Sequence, residues 1–221
     1  MEKSSFNWEL RVFKDIHKDK IGVLLATGKT LKEYIPIVGE NVIIVGVNHI
    51  YEHKHLLDTM NYYFFGSSYE INAYHKNCID SMDKKIQKFA SAYRDGAPTG
   101  FGNIHPDNAK KIDAIPFDCY ISYPTELYTF TKEISENRMI GGTINFPALQ
   151  FLLYTGVNKI YVVGCDVEEY HADVHVEQLK FWWNKFKGWL PEAYPGVEII
   201  IVNPIGLKGL FTDFYQHGNT L

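Results

Sequence analysis

The stretch KIGVLLATGKTLKEYIP, residues 20–36, decides the fold because it joins an apolar run to a polar turn and a helix start. Its letters GKT would end a Walker A phosphate-binding loop, which needs four residues between its two glycines. Gly22 and Gly28 are instead separated by the five residues VLLAT. Such an apolar run is typical of a buried strand and not of a flexible loop. The sequence therefore predicts a strand over residues 21–26, a small-residue turn, and a helix that begins near Thr30.

Apolar runs that resemble this first strand recur along the chain, at residues 42–47, 62–65, 159–164 and 197–202. Most of them are continuously apolar, as parallel strands covered on both faces are. Helical patterns lie between them, at residues 143–155, ending at Gly156, and at residues 175–190, with a short amphipathic helix at residues 7–17. This alternation predicts an α/β fold: a single Rossmann-like, doubly wound, mostly parallel sheet with helices on both faces.

The segment of about residues 66–124 is rich in glycine and proline, and we expect it to be an irregular insertion near the site. The whole chain, 1–221, is expected to form one nucleotide-binding domain. The predicted helix at residues 175–190 carries aromatic side chains at helical spacing, and core packing is the favoured interpretation over a ligand platform. These side chains are Trp182, Trp183, Phe186 and Trp189.

Composition excludes several classes of protein. The formal net charge of −4 and the isoelectric point near 6.1 leave no basic footprint for nucleic acid or anionic membranes. The three cysteines are far apart and form no C-x-x-C pair, which argues against a disulfide framework and a zinc knuckle. No apolar stretch approaches the roughly 20 residues of a membrane span. We therefore expect a cytoplasmic protein, and its aromatic content of 15% is compatible with a homo-oligomer.

Polar residues follow the predicted strands, and ligands of open α/β sheets bind at the carboxyl ends of the strands. These strand-end candidates are Thr27, Gly28, Thr30, Asn48, Asp166 and Asn203. Glycines let the backbone approach a phosphate, and a helix N-terminus supplies N–H groups to bind it. Each candidate also has a purely structural interpretation: Asp166 as the cap of a turn, Asn48 as an Asx-turn residue, and Asn203 as a strand terminator.

The order of two motifs resembles a known family. The stretch ATGKTLKEY followed by VIIVGVNHIYEHKHLLDTMNYYFFGSS, and the later stretch NRMIGGTINFPALQFLLYTGVNKIYVVGCDV, resemble the bacterial CMP-sialic-acid-dependent sialyltransferases of glycosyltransferase family 42. In that family a G-N-G-P-S-L type turn precedes a strand that ends in asparagine, and an R-I-T-S-G helix precedes a strand that ends in G-[IV]-D. The same stretches are similar to the MptE-like family of domains, which includes archaeal hydroxymethylpterin diphosphokinases.

The sialyltransferase resemblance implies a nucleotide-sugar donor, a glycan or small-molecule acceptor, and no required cofactor. It implies nucleotide- or donor-binding roles for Thr27, Gly28, Thr30, Asn48, Gly141, Gly142 and Thr143. Arg138 falls at the family arginine, with a surface ion pair as its alternative role. The family takes its general base from a mobile segment after the G-[IV]-D strand, here a lid at about residues 167–176. That segment offers His171 and His175, and the choice between them stays open.

Departures from the family pattern motivate two alternatives. Glu168 stands where the sialyltransferases place a tyrosine on the leaving phosphate, and Tyr170 is the residue that would replace it. A carboxylate there repels a phosphate unless a metal bridges them, which suggests an Mg²⁺-dependent diphosphokinase with Asp166 and Glu168 as metal ligands. The altered glycine turn suggests instead a nucleotide-binding module without catalysis. A transition-metal site in the histidine runs HIYEHKH and HADVH is disfavoured, because neither run has cysteine partners or an H-E-x-x-H motif.

Overall fold

Nine parallel strands form one sheet in the computed structural model, which describes residues 7–66, 73–92, 104–121, 126–168 and 173–216. The strands are β1 Ile21–Leu25, β2 Val42–Val47, β3 Tyr62–Phe65, β4 Gln87–Ala92, β5 Ala114–Ile121, β6 Met139–Gly141, β7 Lys159–Val163, β8 Glu198–Val202 and β9 Thr212–Phe214. All eight neighbouring pairs of these strands run parallel. The five strands predicted from apolar runs are confirmed to within one residue at each end.

The strand order is β6-β5-β4-β3-β2-β1-β7-β8-β9, so the direction in which the sheet grows reverses at β1. Strand β1 pairs with β2 on one side and with β7 on the other, and Ile21 lies opposite both Val42 and Lys159. This is the doubly wound arrangement that the sequence predicts. Its topological switch point, where such sheets bind ligands, lies between β1 and β7.

Helices cover both faces of the sheet. The α-helices are α1 Lys54–Leu57, α2 Ala73–Asp80, α3 Pro106–Lys111, α4 Asn145–Tyr154 and α5 Asp173–Ala193, and the 3-10 helices are Asn7–Phe13, Lys29–Glu33 and Asn48–Glu52. Helices α4 and α5 confirm the two long predicted helices, and Gly156 follows α4 with a φ of 95°. Within the described residues, no helix combines the length and the apolar character needed to cross a membrane.

Alternate side chains of the strands pack into two separate cores. Leu24 and Val45 belong to the core beneath α4 and α5, whereas Val23 and Ile44 point to the opposite face. That second core is closed by the short helices and the 3-10 turns between the first strands. The aromatic residues of α5 lie mostly in the first core, since Trp182, Trp183 and Phe186 are at most 1% exposed and Trp189 is partly buried. The packing interpretation of this stripe is therefore confirmed.

The prediction of an irregular insertion at about residues 66–124 needs a correction. Among its described residues the segment supplies β4, β5, α2 and α3. These strands escape a search for apolar runs because Lys88, Ser91 and Asp118 lie buried in them, and Pro116 interrupts β5. The predicted helices at residues 7–17 and near Thr30 are also shorter than expected, since each is a 3-10 helix of seven or five residues.

Candidate functional site

A pocket of about 690 Å³ lies at the switch point, at the carboxyl ends of β1, β2 and β7. Its volume falls within the usual range of about 300–1,000 Å³ for small-molecule sites. Helices α4 and α5 complete its lining. The lining residues with polar side chains are Thr27, Lys29, Lys32, Asn48, His53, Thr143, Asn145, Asp166, Glu168 and His175, and Gly28 also lines the pocket.

The turn after β1 is bonded tightly to the end of β7. The Ala26 N–H donates to the Val163 carbonyl at 2.9 Å, and the Gly28 N–H donates to the Gly164 carbonyl at 2.8 Å. A Cβ atom at Gly28 would lie 2.5 Å from both the Gly164 carbonyl oxygen and Asp166 Oδ2. Glycine is therefore required at position 28 because the β7 turn approaches it so closely, whether or not a phosphate binds there.

Asp166 closes the start of the 3-10 helix Lys29–Glu33. Its Oδ2 accepts a hydrogen bond from the Thr30 N–H at 3.0 Å, and its Oδ1 accepts one from the Thr30 hydroxyl. Asp166 is only 9% exposed, and Thr30 is buried at 7%. A carboxylate at a helix start satisfies unpaired N–H groups and complements the helix dipole. Asp166 thus has a capping role, but it caps the helix after β1 and not the turn that follows it in the sequence.

Glu168 is paired in a similar way. Lys29 Nζ lies 2.9 Å from Glu168 Oε2, and the two side chains are 64% and 23% exposed. Both carboxylates that the diphosphokinase alternative assigns to Mg²⁺ therefore already accept hydrogen bonds from the chain. In the described part of the chain, no group of three or more His, Cys, Asp or Glu side chains is arranged to hold a metal ion.

The turn after β7 is strained. Val167 has a φ of 48°, a left-handed conformation that is unusual for a β-branched residue. The Gly206 N–H donates to the Asp166 carbonyl at 2.8 Å, and a Cβ atom at position 206 would collide with the Val167 carbonyl. The loop after β8 thus supports the turn that presents Asp166 and Glu168. Backbone strain of this kind is concentrated at functional sites in proteins.

Two histidines line the pocket. His175, in the first turn of α5, is exposed. His53 is half-buried just after the 3-10 helix Asn48–Glu52, and its backbone N–H donates to the Ile50 carbonyl at 2.9 Å. Burial, followed by His55 and Lys32, lowers the pKa of His53 below its ordinary value of 6.5, although Glu52 opposes this shift. An imidazole with a lowered pKa is neutral at neutral pH, and its ring offers one donor and one acceptor.

His53 is a site residue that the sequence analysis does not assign. The sequence does place His53 shortly after the end of β2, and ligands of open α/β sheets bind near the carboxyl ends of the strands. His171 and Tyr170 lie outside the described residues, as does part of the lid predicted at about residues 167–176.

Several other predicted site residues also line the pocket. Asn48 follows β2 with a φ of 47°, which asparagine tolerates better than most residues, and its carbonyl accepts a hydrogen bond from the Tyr63 hydroxyl at 2.6 Å. Thr143 Oγ1 accepts a bond from the Asn145 N–H at 3.4 Å. The structure thus brings six of the predicted residues to one cavity: Thr27, Gly28, Asn48, Thr143, Asp166 and His175.

The remaining described candidates are not among the lining residues. Arg138 Nε lies 2.8 Å from Asp118 Oδ1, and Asn203 Oδ1 accepts a bond from the Gln216 N–H at 2.9 Å. The two glycines serve close packing, since a Cβ at Gly141 would collide with Phe146 and one at Gly142 with Trp182. Thr30 is turned toward Asp166.

Comparisons with protein-family models and with curated proteins give no match. Among solved structures, the chain is similar to the X-ray structure of a mutant alpha-2,3/8-sialyltransferase, CstII, with a TM-score of 0.49 and 14% sequence identity. The similarity covers 91% of this chain and 89% of the sialyltransferase chain. At this degree of similarity, the α/β assignment rests on the strand order and on the parallel pairing of the sheet itself.

Proposed function

We propose that this chain is a nucleotide-dependent transferase that binds its donor in the switch-point pocket. In its most specific form, the protein is a glycosyltransferase that uses a CMP-activated acidic sugar and a hydroxyl acceptor. One observation carries the proposal: the basic side chains of Lys32, His53 and His175 line one cavity where three parallel strands end, next to the ion pair of Lys29 with Glu168. Both acidic side chains of that cavity are already bonded within the chain. The cavity is therefore suited to an anionic ligand.

The chemistry requires few protein groups. The acceptor hydroxyl loses its proton to His175 as its oxygen bonds to the sugar carbon, and the bond between that carbon and the donor phosphate breaks. The electron pair of the broken bond leaves on the phosphate of CMP, where positively charged or N–H groups stabilise it. His175 suits the role of base because it lines the pocket from the exposed start of α5.

Thermal unfolding in the presence of nucleotides tests this proposal, because a ligand that binds only the folded state raises the melting temperature. We expect CMP to stabilise the protein without Mg²⁺, and more strongly than UDP, GDP, ADP or ATP. Stabilisation by ATP that requires Mg²⁺ and is lost in Asp166→Asn would support the diphosphokinase instead. If no nucleotide shifts the melting temperature, the proposal is wrong.

The role of His175 has its own test. We expect His175→Ala to lower the rate of transfer from a CMP-sugar by about 10²–10⁴-fold, the usual contribution of a general base. The affinity for CMP should change little, because the base acts on the acceptor. His55→Ala is the matched control, since His55 is an exposed histidine outside the pocket lining. A His175→Ala enzyme with full activity would place the base elsewhere, whereas absence of turnover in the unaltered protein would support a binding module.

A further inference from the structure

The turn at residues 27–30 is a poor site for the donor phosphate. The N–H groups of Gly28 and Thr30 donate to Gly164 and Asp166, so they are used within the fold. A phosphate bound there would have to displace a buried carboxylate, and it would meet the negative charge of that carboxylate at close range. The phosphate of a bound donor therefore needs other partners in the pocket.

Such partners line the pocket in the segments that follow β1 and β2. Lys32 is an exposed lysine in the 3-10 helix after β1, and His53 is a half-buried histidine after β2. In the described part of the chain, the ring nitrogens of His53 make no hydrogen bond, whereas His49 bonds to Tyr51 and His17 to Tyr62. Both side chains line the same cavity, and the charge of Lys32 contributes to the lowered pKa of His53. An ammonium group and an imidazole N–H next to one cavity are suitable ligands for a phosphate.

We propose, on the basis of the proposed function, that Lys32 and His53 hold the leaving phosphate of the donor. Lys32 supplies the positive charge, and His53 supplies a ring N–H donor. The two pocket histidines then have separate roles, because His175 accepts the proton of the acceptor and His53 stabilises the departing CMP.

This arrangement links binding to pH. In the free protein, the pKa of His53 is held below 6.5 by its burial and by the nearby His55 and Lys32, although Glu52 raises it. The other charged groups that line the cavity are Lys29, Asp166, Glu168 and His175. A phosphate beside the ring favours the charged imidazole and raises the pKa of His53. Binding therefore takes up a proton between the two pKa values, and the affinity increases as the pH falls through that window.

Calorimetric titration of the full chain with CMP, and with cytidine as a ligand without phosphate, tests the inference. We expect Lys32→Gln to weaken CMP binding about tenfold across the pH range, the usual worth of a charge-assisted hydrogen bond, and to leave cytidine binding unchanged. His53→Gln retains an N–H donor, so it should still bind CMP well at about pH 8. It should lack the increase in CMP affinity that we expect of the unaltered protein at about pH 5.5–6. His105→Gln should behave like the unaltered protein, because His105 neither lines the pocket nor is among the groups that shift the pKa of His53. The titration of CMP itself is common to all variants and cancels in the comparison.

The outcomes separate this inference from the proposed function. If CMP binds and both Lys32→Gln and His53→Gln bind it as the unaltered protein does, the inference is overturned and the proposed function stands. If CMP does not bind but ATP or inorganic phosphate does, with a dependence on Lys32, the anion site stands and the CMP donor is wrong. If none of these anions binds, both are overturned.

Discussion

The two walls of the switch-point pocket use polar residues in opposite ways. The wall built by residues 26–30 after β1 and residues 164–168 after β7 is closed, because Thr30 bonds to Asp166, Lys29 pairs with Glu168, and the turn after β1 is bonded to Gly164. The wall after β2 presents His53 to the cavity without a side-chain hydrogen bond from the described residues. A glycine-containing turn after a strand can thus bind an external anion only if no carboxylate of the chain is already bonded to its N–H groups.

The largest expected effect on stability comes from a substitution that separates the turn after β1 from the turn after β7. Gly28→Ala places a methyl group 2.5 Å from the Gly164 carbonyl oxygen and from Asp166 Oδ2, and backbone and a buried carboxylate cannot yield easily. We expect a loss of about 3 kcal/mol in the free energy of unfolding, at the upper end of overpacking effects. Urea denaturation measures it.

The matched control is Gly188→Ala in α5, where an added Cβ meets nothing within 4 Å. Alanine in a helix interior should stabilise the protein there by about 0.5–1 kcal/mol. Equal effects at the two glycines would show that the β1 and β7 turns are not packed as described.

The strands differ in how clearly the sequence predicts them. The apolar runs of β1, β2, β3, β7 and β8 identify the centre of the sheet, because parallel strands covered on both faces usually have continuously apolar sequences. Strands β4 and β5 bury Lys88, Ser91 and Asp118, while β6 and β9 have three residues each. Neither a mixed strand nor a three-residue strand carries a clear periodic signal.

For the site, strand ends locate the cavity but not the role of each residue. Thr30 and Asp166 are 136 positions apart, so no local pattern shows that they bond to each other. The ion pair of Arg138 with Asp118 is hidden in the same way, because its acidic partner lies on a strand that the apolar pattern misses. His53 was overlooked because no motif in its run distinguishes a pocket histidine from a surface one. Such pairings depend on tertiary packing and not on spacing.

The second prediction removes one hydrogen bond from the closed wall. Thr30→Val keeps the shape of the side chain but leaves Asp166 Oδ1 without its hydroxyl donor in a buried setting. We expect a cost of about 2 kcal/mol, since a buried charged acceptor loses a partner. Thr27→Val on the same turn is the control, because Thr27 is exposed and should change the unfolding free energy by less than about 0.5 kcal/mol. A neutral Thr30→Val would contradict the capping role of Asp166.

The third prediction removes the charge of the closed wall and keeps its shape. In Asp166→Asn the amide oxygen still accepts from the Thr30 N–H, and the amide NH₂ donates to the Thr30 hydroxyl oxygen. We expect a loss of about 1 kcal/mol in stability, as a charged hydrogen bond becomes a neutral one. The affinity for CMP should stay within about threefold, a difference below 1 kcal/mol. A variant that folds but no longer binds its nucleotide would instead mean that Asp166 contacts the ligand or its metal.

The prediction with the smallest expected effect tests whether the ion pair of Lys29 with Glu168 persists when the ligand binds. Lys29→Gln breaks an ion pair whose lysine side chain is 64% exposed, and exposed pairs contribute about 0–1 kcal/mol. We expect almost no change in the melting temperature, and a smaller loss of CMP affinity than Lys32→Gln causes. Glu168→Gln is the companion variant, since it weakens the same pair but keeps the lysine. If Lys29→Gln weakens CMP binding more than Lys32→Gln, and Glu168→Gln strengthens it, then Lys29 leaves Glu168 to bind the phosphate. The contrast between the walls would then describe the free protein alone, because the ligand itself would open the closed wall.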